Sequence, residues 1–253
     1  MSTKLNVAAT VTDQLRSAIL KGEIAPKTKL RLEQLSASFN VSLSPVREAL
    51  LRLEGENLVV GEAQRGFVVA GTSIENLEEV MALRSLLEPF ALARALERGT
   101  VEWEERLVGI FHRLTRLEHQ EKPILFLEEW ERAHREFHFT MLEPCGMPML
   151  TSFCATLYDL ADRYRRLYLK FYAPQRDVRQ EHNEILEKVI ARDPAACELL
   201  RKHVERTTVV VTEFMRKAAE DGALSDTEDA ARETDLASQP SFTPSEARRR
   251  KKT

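Results

Sequence analysis

The sequence predicts a mainly α protein, with an N-terminal winged helix-turn-helix followed by an all-helical antiparallel bundle of about six helices. Three observations predict it. Glycine and proline number only 9 and 10 in 253 residues, too few for an all-β chain built on many tight turns. Apolar residues recur at three- and four-residue spacing along most of the chain. The one short interruption, at 58–60 and 67–69, consists of two β-rich runs joined by a segment bounded by Gly61 and Gly66, the pattern of a hairpin.

In order along the chain, Val11, Leu15, Ala18 and Ile19 share one helical face that ends at Lys21 and Gly22. A second short helix is expected over about 32–39, with Leu35 and Phe39 inward. A third is expected to start at Ser44 as N-cap, with Pro45 in the first helical position. Its apolar face is Val46, Ala49, Leu50 and Leu53. The hairpin follows, then Gly71, Thr72 and Ser73 as a linker. Helices are next expected near 74–98, 102–120, 124–142, 147–171, 176–191 and 194–220, with Pro89 kinking or dividing the first of them. Short connections between them imply antiparallel neighbours. The expected division is a winged helix-turn-helix domain at 1–70, a linker at 71–73, a helical domain at 74–221 and a disordered tail at 222–253. That tail has one aromatic residue, Phe242, and a basic end at 248–252, read either as solvated or as a non-specific DNA contact.

Composition narrows the function. Hydrophobic residues are 43% and charged residues 30%, ordinary for a globular chain. No apolar run approaches the ~18 residues of a membrane span, and the N-terminus lacks a signal-like apolar stretch. Cys145, Cys154 and Cys197 are an odd number without CxxC spacing, which argues against a disulfide scaffold and for a reduced, cytoplasmic setting. The net charge of −3 is uneven: +2 over 1–70, −5 over 71–221 and zero over 222–253. A mildly basic head is compatible with nucleic acid.

The run 41–50, Val-Ser-Leu-Ser-Pro-Val-Arg-Glu-Ala-Leu, carries the candidate DNA contacts. A helix in the major groove presents its N-terminal residues to the DNA. Ser42 and Ser44 can bond phosphate, and Arg47, off the apolar face, offers a fork for guanine or phosphate. At the wing tip Arg65 adds a cation and Gly66 permits close backbone approach. This stretch resembles the DNA-binding domain of the GntR superfamily, whose usual wording is close to VSRTPVREAL followed by a wing ending RGF.V. The helical remainder resembles the FCD ligand-binding domain of the FadR/VanR branch. The resemblance spans roughly 10–220 and implies that Ser42, Ser44, Arg47, Arg65 and Gly66 contact DNA. The arginine usual after the first serine is Leu43 here. Leucine cannot grip guanine but can touch a thymine methyl, so a different operator preference is expected at that position.

Six histidines are present, and four lie on apolar stripes. His134 and His138 are one turn apart, in line with Trp130, Phe137 and Met141. His182 shares a face with Ile185, Leu186 and Val189, and His203 follows Leu199 and Leu200. His182 precedes Asp193 by 11 residues and His203 follows it by 10. At ~1.5 Å per residue, both lie roughly 15–17 Å from that turn, level on antiparallel helices. A buried imidazole needs a partner, and one divalent transition metal serves four of them. Metal-binding FCD domains resemble a DxxxH pair plus one histidine on each of two later helices. By that resemblance His138, His182 and His203 are ligands and His134 stands where Asp is usual. Losing the negative ligand makes Zn or Ni fit better than Mn. His134 either binds or leaves three histidines to do so.

Arg84, on the stripe of Leu77, Val80, Met81 and Leu87, needs an anionic partner. Either it pairs with Glu88 one turn on, or it binds the carboxylate of a small organic acid, the effector class the resemblance implies. His112 and His119 read as surface residues. The leading expectation is a DNA-binding transcriptional regulator, a repressor relieved by ligand, acting as a homodimer on double-stranded operator DNA and off the membrane. Direct metal sensing without an organic effector is the second reading. A helical metalloenzyme is the third, disfavoured because no carboxylate stands ready as general base.

Overall fold

A computed structural model describes residues 2–62, 66–118, 127–168 and 176–220. The described residues form two compact units, the first drawn from the stretches 2–76, 159–168 and 211–220 and the second from 77–158 and 176–210.

The first unit begins with α1 (Ser2–Leu20), β1 (Lys29–Leu30), α2 (Leu32–Phe39), α3 (Leu43–Gly55), β2 (Val59–Glu62) and β3 (Gly66–Val69). Leu15, Ile19, Leu35, Leu50 and Leu53 are fully buried, so the apolar stripes of α1, α2 and α3 meet in one core. Arg16 of α1 grips Glu56, just past α3, with two hydrogen bonds of 2.7 and 2.6 Å. Asn40 ends α2 in the left-handed conformation (φ 51°), so the chain turns sharply into α3. The strands form one antiparallel sheet ordered β1-β3-β2, with Val60 opposite Val68 and Phe67 opposite both Gly61 and Leu30.

Three local expectations change. The third helix starts at Leu43 rather than after Ser44, with Ser42 in the cap position but making no side-chain cap bond. Pro45 then sits inside the first turn, where its missing N–H costs nothing because that donor has no intrahelical partner. The hairpin strands are displaced, since Leu58 N–H closes the end of α3 on the Leu53 carbonyl (3.0 Å). Finally, β1 pairs with β3 although two residues show no alternation to read.

The rest of the described chain is helical: α4 (Ile74–Arg98), α5 (Val101–Glu118), α6 (Leu127–Leu142), α7 (Pro148–Tyr168), α8 (Val178–Ile190) and α9 (Ala195–Glu220), with a 3₁₀ turn at Glu143–Cys145. The second unit holds α5, α6, α8 and most of α4, α7 and α9, while residues 74–76, 159–168 and 211–220 of the last three belong to the first. Pro89 lies inside an undivided α4. Along α5 the partners of Trp103, Arg113 and Glu118 are Thr140, Glu136 and Trp130 of α6, so these helices run antiparallel. The core includes Leu92, Leu107, Phe137, Met141, Leu186 and Leu200. No helix among the described residues is long and apolar enough to cross a membrane. The expected tail from 222 onward, and the wing tip at 63–65, lie outside the described residues.

Trp103 ties this unit together: it is 1% exposed, donates from Nε1 to the Thr140 carbonyl at 2.5 Å and lies under the Arg192 guanidinium. Trp103→Ala is expected to destabilise the protein by about 3–5 kcal/mol, measured by urea unfolding followed by circular dichroism. A loss below about 1 kcal/mol would contradict this packing.

Candidate metal centre and DNA-reading face

Within the second unit, His134 and His138 of α6, His182 of α8 and His203 of α9 are all buried. One ring nitrogen from each lies within 4.8 Å of all the others. Sequence periodicity is the cause: each histidine occupies a core position of its helix, and the helices present those positions to one point. Ring centroids are 4.6 Å apart for His134–His138, 4.7 Å for His182–His203 and 5.4 Å for His138–His182.

Each ring is held in place. Trp130 stacks on His134 at 4.6 Å and 14°, and the Tyr158 hydroxyl lies 2.6 Å from His134 Nδ1. That contact leaves Nε2 of His134 facing Nε2 of His138 at 3.2 Å. Phe137 meets His182 edge-on at 5.3 Å. His203 Nδ1 is 3.0 Å from Glu181 Oε2, and Glu181 accepts from Arg176 Nε at 2.7 Å. A carboxylate on Nδ1 favours the Nδ1–H tautomer, which keeps the Nε2 lone pair for a metal. Burial, reinforced by the charges of Arg176 and Arg84, lowers the His203 pKa to about 4 against the opposing pull of Glu181. The ring is therefore neutral at physiological pH, the state a metal ligand needs. Burial pushes the Glu181 carboxyl up, but the bonds from Arg176 and His203 outweigh it and hold it well below the usual carboxylate range. Four buried imidazoles on one point fit a divalent transition metal by donor type and number.

Arg84 is 4% exposed. Its Nε donates to Glu88 Oε1 at 2.6 Å, and its guanidinium lies 4.9 Å from the centre of the Tyr158 ring. The expected i,i+4 pair is thus formed, one phenol ring away from His134. His112 is exposed on α5, and His119 lies outside the described residues. Sequence reasoning missed Tyr158, Glu181 and Arg176. Glu181 adjoins His182, which was a usable signal, but Tyr158 and Arg176 reach the histidines from elements with no spacing relation to them.

In the first unit, Ser42, Leu43, Ser44 and Arg47 are exposed at the start of α3. Leu43 is 45% exposed, unusual for a leucine with a helix core beside it. Arg47 makes no ion pair among the described residues, whereas Arg52 one turn later is paired with Glu48. Gly66 opens β3 at φ +91°, a backbone conformation suited to glycine. Arg65 lies outside the described residues.

A winged helix-turn-helix joined in one chain to a helical bundle defines a class of DNA-binding regulators. The family described as bacterial regulatory proteins, gntR family, matches residues 7–69, and the FCD domain matches 79–206. The chain belongs to the GntR family of transcriptional regulators that carry an FCD domain; these proteins are not enzymes. It is 37% identical over 204 residues to the uncharacterised HTH-type transcriptional regulator BphR of Paraburkholderia xenovorans (strain LB400), covering 79% of this chain and 83% of that one. It is 32% identical over 206 residues to the HTH-type transcriptional repressor GlaR of Escherichia coli (strain K12), covering 79% and 94%. The structure of E. coli McbR/YncC matches with a TM-score of 0.70 at 22% identity, covering 82% of this chain and 97% of that one. This last likeness is one of fold.

Tyr158→Phe removes the hydroxyl beside His134 Nδ1 and is expected to cost about 1–3 kcal/mol. Thermal unfolding of the chelator-treated protein measures it, and an unchanged midpoint would contradict the hydrogen bond.

Proposed function

We propose that this GntR/FCD regulator binds one divalent transition metal through His134, His138, His182 and His203, and a small organic acid beside it through Arg84. The carrying observation is the convergence of four buried imidazoles, with Arg84 reaching the same cluster across the Tyr158 ring. The donor set is all nitrogen and uncharged, which suits Zn or Ni above Mn. Held by these histidines, such a metal would supply Lewis acidity toward an oxygen donor. An acid on Arg84 has to share the guanidinium with Glu88 or displace it.

On this reading residues 1–70 are the DNA-reading head, 71–73 the linker and 74–221 the sensing domain. DNA contacts come from Ser42, Leu43, Ser44 and Arg47, with Arg65 and Gly66 from the wing. A homodimer is favoured because a near-palindromic operator asks for twofold symmetry. The exposed stripe of Leu83, Leu86 and Phe90 on α4, with Met149 and Phe153 on α7, supports self-association. Effector binding acts on operator affinity to the extent that one arrangement of the dimer binds the acid more tightly. Repression relieved by ligand is the proposed sense, in keeping with the repressor named among the relatives.

One observation favours a second reading. Glu88 already neutralises Arg84 at 2.6 Å, so the metal itself can be the signal with no organic acid. Calorimetric titration of small di- and hydroxycarboxylic acids into the metal-loaded protein separates the two: binding that disappears in Arg84→Met supports the acid, and silence across the panel supports the metal.

Two results are expected. Elemental analysis after equilibration with Zn or Ni gives about one metal per chain, and His138→Ala weakens affinity at least tenfold; equal binding by both would sink the centre. Operator selection from random DNA yields a base preference that changes, toward guanine, in Leu43→Arg. An unchanged preference would remove Leu43 from the reading face.

A further inference from the structure

Two arginines are buried among the described residues, Arg84 and Arg163, and they are treated differently. Arg84 faces Glu88. Arg163, on α7 and 2% exposed, pairs with no carboxylate among the described residues. Its Nη2 donates to the Ala70 carbonyl, and its Nε is buried without a hydrogen-bond partner. The nearby carboxylate, Asp162, is taken by Arg165 and Arg166. Burial lowers the Arg163 pKa only to about 10, so the group stays cationic at neutral pH.

Beside it, wholly within the first unit, lies a cavity of about 220 Å³. Arg163, Asn57, Asn76 and Tyr164 supply its polar wall, and no Asp or Glu lines it. Tyr164 donates its hydroxyl proton to Asn76 Oδ1 at 2.8 Å and accepts from Ser73 N–H at 3.3 Å. The Asn76 carboxamide is thereby oriented, and its NH₂ group remains a donor. A buried cation without a counter-charge is costly, whereas a charge-assisted pair with an oxyanion is strong.

We propose that this cavity is a binding site for a small oxyanion, a phosphate or carboxylate group, held by Arg163 with the Asn76 and Asn57 amides. It is separate from the histidine centre and from Arg84 and does not depend on either. Its wall includes Ala70, Gly71 and Asn76, so an occupant braces the segment that leads into α4.

The test is thermal unfolding of the full chain with inorganic phosphate or acetate at constant ionic strength, with chloride as reference. The expected result is a rise of roughly 3 °C or more at tenfold excess over Kd. Which anion acts tells the phosphate class from the carboxylate class. Arg163→Gln is expected to abolish the rise, and so is Asn76→Asp, which puts a carboxylate on the wall in the anion's place. Should Arg163→Gln not fold, Asn76→Asp decides. His138→Ala and Arg47→Ala are expected to keep the rise, which separates this cavity from the histidine centre and the DNA-reading face. No rise in the wild type, or an equal rise in Asn76→Asp, overturns the proposal.

Discussion

The bundle is organised around an energetic demand: four imidazoles are packed in its interior, and buried polar rings are tolerated only when their nitrogens are satisfied. Each lies on the core stripe of its helix, so no choice of helix rotation keeps the apolar faces inward while sending the rings to water. The neighbours answer the demand in layers. Tyr158 takes Nδ1 of His134, Glu181 takes Nδ1 of His203, and Arg176 anchors Glu181. Trp130 and Phe137 fix ring planes by stacking and edge contacts. What these contacts leave facing inward is a set of ring nitrogens close enough to share one ion.

The same logic separates the two buried arginines. Arg84 is neutralised within its own helix turn and touches the phenol that holds His134, so charge, ring and imidazole form one chain of contacts. Arg163 instead straps a backbone carbonyl and faces a small cavity without acid. In the winged head, by contrast, charge is kept out of the core: Arg47 and Leu43 point outward at the start of α3, while Val46, Ala49, Leu50 and Leu53 close the inner face. The proposed DNA contacts and the proposed ligand sites thus draw on side chains with opposite solvation, the first on an exposed helix end and the second on buried helix faces.

Much of this was legible in the sequence because helices write their burial at a period of 3.6 residues. Helix positions, the inward faces and the level placement of His182 and His203 follow from that period and the turn at Asp193. Leu43 was legible as a departure because its neighbours match a family wording so closely. The rest was not legible for specific reasons. Two-residue β1 has no period, and the start of α3 at Leu43 is set by chain direction after Asn40 rather than by a capping hydroxyl. Tyr158, Arg176 and Arg163 act on residues 20 or more positions away, and such contacts appear only once helices are packed.

In the proposed centre the four imidazoles meet on one metal ion. X-ray absorption at the metal edge of protein equilibrated with zinc tests it most directly. Four-imidazole ligation predicts a shell of nitrogen donors at about 2.0–2.1 Å with the outer-shell scattering of imidazole rings. A sulfur shell near 2.3 Å, or an all-oxygen shell without imidazole scattering, would contradict it.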